Sequence, residues 1–340
     1  LLEIGCYYIL AIIAVWRLPT LIAWLRGYRL PAGRRPHTPI LTKVAVAMAL
    51  LLLAVDAGYW HFQRHFRNDL RMTVLSVGDG SATLLELPKG RVMLVDGGGF
   101  TDNAIFDVGQ RIVAPALWRK KIRTIDVMVL SHPNSDHLNG LLFVARHFKV
   151  GQLWTNGETQ DTAAYVQFRQ IVAQRAIVEP EFETLARRHD FGTVQVQIVW
   201  PPADFKQYTD AHPHDEPNNN SIVLRVAAGD TAMVLPGDIE GAAERAIVAR
   251  ATVNLQSDVL VAPHHGSRTS STERFLRAVR PETVIVSCAA MGRYRFPHPT
   301  VAARYRQNGL RVISTADNGA IAVIAQKGEI KVLPTAATKP

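Results

Sequence analysis

The stretch VMVLSHPNSDHLNGLL, residues 127–142, sets His132, Asp136 and His137 close together directly behind an apolar run. Imidazole nitrogens and carboxylate oxygens at this density are ligands for zinc or manganese. A metal held there would let a hydrolase activate water at neutral pH. Loops of this kind commonly carry another His or an acid where this chain has Asn134.

Further ligand-capable residues close other apolar runs. Asp96 ends VMLVD before three glycines, Asp238 ends AMVLPGD, and His264 with His265 end VLVAPHH before Gly266. Each has a plainer reading alone, because Asp after a strand is often a turn former or helix N-cap. Asp238 before IEGAAERAIV fits an N-cap, and Asp136 can cap its own helix. Together, residues at separate strand ends converge wherever a sheet edge gathers those ends, and they form one nitrogen and oxygen ligand set.

The elements that must position them are short and β-rich. RMTVLSV, ATLLELP and RVMLVDGG read as three successive strands with turns at GDGS and PKG. IDVMVLS runs into His132, and a helix opens near Asp136. Further strands are expected at VGQLWT, TVQVQIVW, SIVLRVA, TAMVLPG, DVLVAP, TVIVS, RVIST and AIAVIA, with helices at 108–120, 162–174, 240–250, 271–280 and 299–308. This order suggests an α+β domain of two packed sheets with helices outside. Residues 201–220 are polar and rich in Pro and Asn and read as a long loop, a frequent seat of function.

The net charge of +9 is uneven: residues 1–71 hold nine Lys/Arg against three Asp/Glu. That basicity points to a membrane surface before a nucleic-acid groove, and Lys89, Arg268, Arg293 and Arg295 read as solvated surface. Residues 44–55 are uncharged, and 41–60 reach about the 20 residues of a bilayer span. A second apolar run at 4–16 reads as the end of an earlier span, in a chain whose start at Leu1 fits a fragment or processed product. Residues 17–43 between them carry Arg17, Arg26, Arg29, Arg34, Arg35 and Lys43 with no acid, which places that loop in the cytoplasm and everything after Trp60 outside. The expected organisation is membrane-associated helices over 1–60, a linker over 61–71 and one domain over 72–335. Cys6 and Cys288 give no disulfide framework.

HPNSDH matches the metallo-β-lactamase superfamily loop His-x-His-x-Asp-His at three of four defined places, and Asp96, Asp238 and HHGS occur in that superfamily's order. More narrowly, VGDGSA, LVDGGG, VLSHPNSDHLNGL, NNNSIVLRV, LPGDIE, PHHGSRTSS and PHP resemble the C-terminal domain of the ComEC family, inner-membrane channels for DNA uptake in natural competence. The resemblance covers about residues 71–325. It implies an αββα sandwich holding one or two divalent ions, Mn or Zn. Asp136, His137, a bridging Asp238 and one histidine of the pair would hold one ion. His265 is preferred over His264, because the superfamily's ligand usually precedes a glycine. His132, Asn134 and Asp238 would line the other position.

The resemblance makes Asp136, Asp238 and His132 the residues nearest the chemistry. An acid behind a His ligand orients it, the role expected of Asp96. Asn219, Asn220, Ser221, Ser267 and His298 are candidates to contact a phosphate. The chain departs from the family at Asn134, at Gly78-Asp79-Gly80-Ser81 where Gly-Gln-Gly-Asp is typical, and at Arg295-Phe296-Pro297-His298-Pro299, which keeps only the later His of Gly-His-Pro-His-Pro. The implied function is a nuclease degrading one DNA strand on the outer face of the bacterial inner membrane, alongside other DNA-uptake proteins. The alternatives are a catalytically degenerate module that guides DNA and a phosphodiesterase for a smaller or lipid-like substrate.

Overall fold

The computed structural model describes residues 40–100, 102–205, 217–250, 253–292, 294–326 and 328–334. The apolar run at 4–16, nearly all of the basic loop 17–43, Cys6, Arg293 and most of the loop 201–220 lie outside the described residues.

The chain divides into two units, Leu1–Arg67 and Asn68–Pro340. The described part of the first is helix α1 (Ile40–His65), which exposes Val44, Met48, Leu50, Leu51 and Val55. Among the described residues no helix is long and apolar enough to cross a membrane. Lys43 on one side and Asp56 on the other confine the uncharged run to 44–55. At about 1.5 Å per residue that run covers about 18 Å, short of a hydrocarbon core of about 30 Å. The span expected over 41–60 is therefore a helix here, without the length of apolar surface expected of it.

In the second unit, β1 (Leu70–Val74), β2 (Thr83–Glu86) and β3 (Val92–Val95) form an antiparallel meander, and a π-helical turn at Gly109–Val113 leads into α2 (Ala114–Arg119). Then come β4 (Thr124–Val129), α3 (Ser135–His147), β5 (Lys149–Trp154) and α4 (Ala163–Gln174). The antiparallel strands β6 (Arg188–Phe191), β7 (Val194–Trp200), β8 (Val223–Ala228) and β9 (Thr231–Leu235) follow. After them α5 (Gly241–Arg250), β10 (Val259–Val261), α6 (Glu273–Val279), β11 (Thr283–Val286), α7 (Pro299–Gln307) and β12 (Arg311–Ser314) alternate. The last described elements are α8 (Thr315–Asn318), β13 (Ile321–Gln326) and β14 (Glu329–Pro334).

Two seven-stranded sheets result, ordered β14-β13-β1-β2-β3-β4-β5 and β12-β11-β10-β9-β8-β7-β6. The two-residue side-chain period sorts each strand between layers. Met93 and Val95 of β3 face the core between the sheets with Val127, Val129, Met233, Val259 and Ile285, while Val92 and Leu94 face Leu138, Leu141 and Val144 on and around α3. On the far side Val234, Leu260, Val284 and Val286 meet Ile247, Phe275 and Tyr305. This is the expected αββα order.

Each sheet is antiparallel on one side and parallel on the other: β3-β4-β5 in the first, β9-β10-β11-β12 in the second. Parallel strands present their carboxyl ends together, where open α/β sheets bind ligands. Asp96 follows β3, His132 follows β4, Asp238 follows β9, and His264 and His265 follow β10.

Candidate metal centre

Helix α3 starts the site. Asn134 occupies its N-cap, so Asp136 and His137 fall in the first turn, where the helix dipole favours a carboxylate. Two glycine-bearing loops press on that turn through backbone alone: Ser81 N donates to the Asp136 carbonyl (3.1 Å) and Gly97 N to the His137 carbonyl (2.7 Å). A Cβ at Gly80 would overlap the Asp136 carbonyl, and one at Gly97 the backbone at Leu141. The glycines of GDGS and DGGG are thus what lets both loops reach the ligand-bearing helix.

One ligand atom from each of Asp136, His137, Asp238 and His265 lies within 4.8 Å of the others, and three of these residues are buried. His137 Nε2 is 3.1 Å from Asp238 Oδ1, and His265 Nε2 is 3.5 Å from Asp238 Oδ2 and 3.6 Å from Asp136 Oδ2. The outer nitrogen of each imidazole is fixed. His137 Nδ1 donates to Asp96 Oδ2 (2.8 Å), and His265 Nδ1 donates to the Ser287 carbonyl (3.1 Å). Both rings therefore turn Nε2 inward, the arrangement that orients metal-binding histidines.

His132 reaches the same tautomer differently. Its Nδ1 contacts the hydroxyls of Ser131 (3.1 Å) and Ser221 (3.2 Å), whose hydrogens go to Asp96 Oδ2 and the Asn218 carbonyl. Both hydroxyls can only accept, so His132 carries its hydrogen on Nδ1. The Nε2 atoms of His132, His137 and His265 are buried without a hydrogen-bond partner. Buried polar atoms nearly always find partners, and three unpaired imidazole nitrogens beside two carboxylates fit a divalent cation.

The electrostatics follow. Burial opposes a charge on His137, but Asp238, Asp96 and Asp136 hold its pKa well above the ordinary imidazole value. Burial works against the Asp238 and Asp136 carboxylates, yet His137 and His265 draw both below the usual range. His132 is the opposite case: burial, then His137, lowers it to about 4, a neutral ring at pH 7.

His264 stands beside this group. Its Nδ1 donates to Glu240 Oε1 (3.0 Å), its Nε2 is 3.8 Å from Asp238 Oδ2, and the four-residue group includes His265 instead. Burial works to lower its pKa, but the Glu240 bond and Asp238 carry it up. Asp96, His264 and His265 all have positive φ, at 61°, 46° and 55°. Non-glycine residues are held there at a cost of about 1–3 kcal/mol each, as at functional sites.

Asn134 is engaged on both ends: its Nδ2 donates to Asn218 Oδ1 (2.9 Å) and its Oδ1 accepts from Gln160 Nε2 (3.0 Å). Asn219 is buried and its Oδ1 accepts from Glu240 N (3.0 Å) and Ala243 N (3.1 Å). It thereby caps α5, the task the sequence offered to Asp238, and leaves that carboxylate for the site. Ser221 is fully buried and also accepts from Asp238 N (3.1 Å). Asn220 is buried between Asn156 and Glu158. Ser267 Oγ lies 3.1 Å from Thr269 Oγ1, and His298 Nδ1 accepts from Thr300 N (3.3 Å) at the head of α7. Asp79 Oδ1 accepts from Ala289 N (3.0 Å). Ser131 and Ser287 were not singled out in the sequence. The first adjoins His132 and was findable there; nothing local marks the second.

The metallo-beta-lactamase superfamily profile matches residues 75–197. The chain is 26% identical to ComE operon protein 3 of Bacillus subtilis over 73% of its own length and 32% of the relative's. It is 29% identical to competence protein ComA of Neisseria gonorrhoeae over 83% of its length and 36% of that relative's. These matches make the chain similar to competence proteins of the ComEC family through its metallo-beta-lactamase-like domain. The chain spans about a third of the length of these relatives. Among solved structures it matches the diiron beta-hydroxylase CmlA of Streptomyces venezuelae at 13% identity and TM-score 0.45, over 79% of this chain and 54% of that one.

Proposed function

We propose that the ComEC-type domain is a metal-dependent phosphodiesterase that cuts single-stranded DNA during DNA uptake, on the outer side of the inner membrane. The observation that carries this reading is the convergence of Asp136, His137, Asp238 and His265, with imidazole Nε2 atoms buried and unpartnered. The chemistry a divalent ion supplies when bound there is activation of water near neutral pH and neutralisation of charge building on a phosphoryl oxygen. Asp238 lies against two imidazoles and spans the floor of the site; Asp96 and the Ser287 carbonyl hold the rings in the ligating tautomer. Asp136, the most exposed of the four, faces solvent where a substrate enters. The competence names of the relatives support DNA as the substrate and the membrane of an uptake system as its place.

Asn134 favours a restricted form of this reading. With its amide committed to Gln160 and Asn218, the His132 side lacks a third strong ligand, and we assign one ion per chain. The test is incubation of the full chain with labelled single-stranded DNA and Mn or Zn, with metal content measured alongside. Cleavage is expected, and Asp136→Ala should abolish both cleavage and bound metal. Metal binding without cleavage by any divalent ion would favour the DNA-guiding module instead.

A further inference from the structure

Above the metal centre, on the side of the second sheet, aromatic rings climb from the ligands into solvent. His298 N donates to the Gly266 carbonyl (2.9 Å), and a Cβ at Gly266, whose φ is 81°, would strike Pro297. These close contacts clamp loop 294–298 against the histidine pair. Phe296 consequently lies 5.6 Å from the His265 ring at 32° and 6.3 Å from His264. Tyr294 stacks on Phe296 at 5.5 Å and 24°. Phe296 is half-buried, whereas Tyr294 is 61% exposed and Met291 98% exposed. Arg268 and Arg295 are exposed on the same two loops.

We infer that Tyr294, supported on Phe296, is a stacking platform for an unpaired nucleobase next to the phosphodiester held at the metal centre. This rests on the nuclease reading above and adds to it how a single strand is selected. A tilted ring pair at 5.6 Å and a stacked pair at 5.5 Å lead from the ligand to the surface and end in an aromatic face on which a base can stack. An aliphatic lipid chain gains nothing from that order. The exposed Arg268 and Arg295 of these loops suit the backbone phosphates, and base-on-aromatic stacking is the sequence-tolerant mode of single-strand binding. A duplex keeps its bases stacked on one another, so the platform acts on unpaired strands. The sequence did not show it, because Tyr294 and Phe296 alternate with arginines in a short loop and acquire their meaning from the position of His265.

The test uses the full chain, metal-free so that no cutting intervenes, titrated into a fluorescent single-stranded oligonucleotide and into the same strand made abasic. Tyr294→Ala should weaken binding of the normal strand about ten- to a hundredfold, leave the abasic strand nearly unchanged, and be rescued by Tyr294→Phe. With metal present, the same substitution should raise KM for the normal strand while kcat holds. Equal weakening on both strands, or none on either, overturns the platform. So does a loss that appears only with anionic lipid vesicles. A wild-type chain that cuts DNA while Tyr294→Ala is neutral removes the platform alone, whereas a wild-type chain that neither binds nor cuts DNA removes the nuclease reading with it.

Discussion

The two halves of the ligand constellation are built from the same materials and finished differently. On the His137 side, each imidazole has a strong acceptor behind it, the Asp96 carboxylate or the Ser287 carbonyl, and two carboxylates in front. On the His132 side the ring rests on two hydroxyls, and its neighbour Asn134 is bound to Gln160 and Asn218. The first half concentrates negative charge around inward-turned imidazole nitrogens; the second disperses neutral groups into a hydrogen-bond network. On the one-ion reading proposed above, the single uncharged Asn134 removes one ion position while the other stays whole.

If the His137 side owes its strength to charge behind the ligand, Asp96→Asn should show it most. The amide keeps the shape but cannot hold the imidazole tautomer as a carboxylate does, and such changes typically cost 10–100-fold in metal affinity. Competition against a chelating dye would measure it, and unchanged affinity would mean that Asp96 serves only the Ser131 turn. Asn134→Asp addresses the other side. It restores an anionic ligand beside His132, and metal content by elemental analysis should rise from one ion per chain toward two. A ratio that stays at one would locate the defect elsewhere in the 217–221 loop.

The halves also respond to pH in opposite directions. His137, raised above 6.5, binds its proton more tightly when folded; its contribution to stability is complete below pH 6.5 and lost as pH rises through the folded value. His132, lowered from 6.5 to about 4, contributes fully above pH 6.5 and loses its contribution as pH falls toward 4. Their rings are 4.2 Å apart, so the metal-free protein should melt at its highest temperature near pH 6.5 and lower on either side. Bound metal requires a neutral His137, so affinity should climb with pH and lift the alkaline side of the melting curve. Thermal melts with chelator and with saturating Mn compare the two directly.

What the sequence revealed follows the strength of the local signal. Strands buried on both faces, such as β9 and β10, read as apolar runs with ligands at their ends. The strands not anticipated, β6 and β14, are the outermost strands of their sheets, with only alternate residues partly covered. An edge strand needs little hydrophobic pattern, because one neighbour fixes it. The ligands were legible because chemistry restricts their types. Of their supports Asp96 was read in the sequence, whereas Ser131, Ser287 and Gln160 are ordinary residues made functional by contacts across the fold. Asn219 shows the same limit, since its role as a cap depends on α5, which follows it only after two further strands.

That residue offers the smallest effect and the finest discrimination between the halves. Asn219 Oδ1 accepts two backbone N–H groups at the start of α5, so Asn219→Ala should cost about 1–2 kcal/mol of stability, the usual loss for a helix cap. Its neighbours Asn218 and Ser221 contact Asn134 and His132. Disturbance of the loop therefore falls on the already dispersed half. Metal affinity of the four-residue group should stay within a few-fold of wild type while the unfolding temperature drops. A matching loss of affinity would show that α5 positions Asp238, and that the two halves are mechanically one.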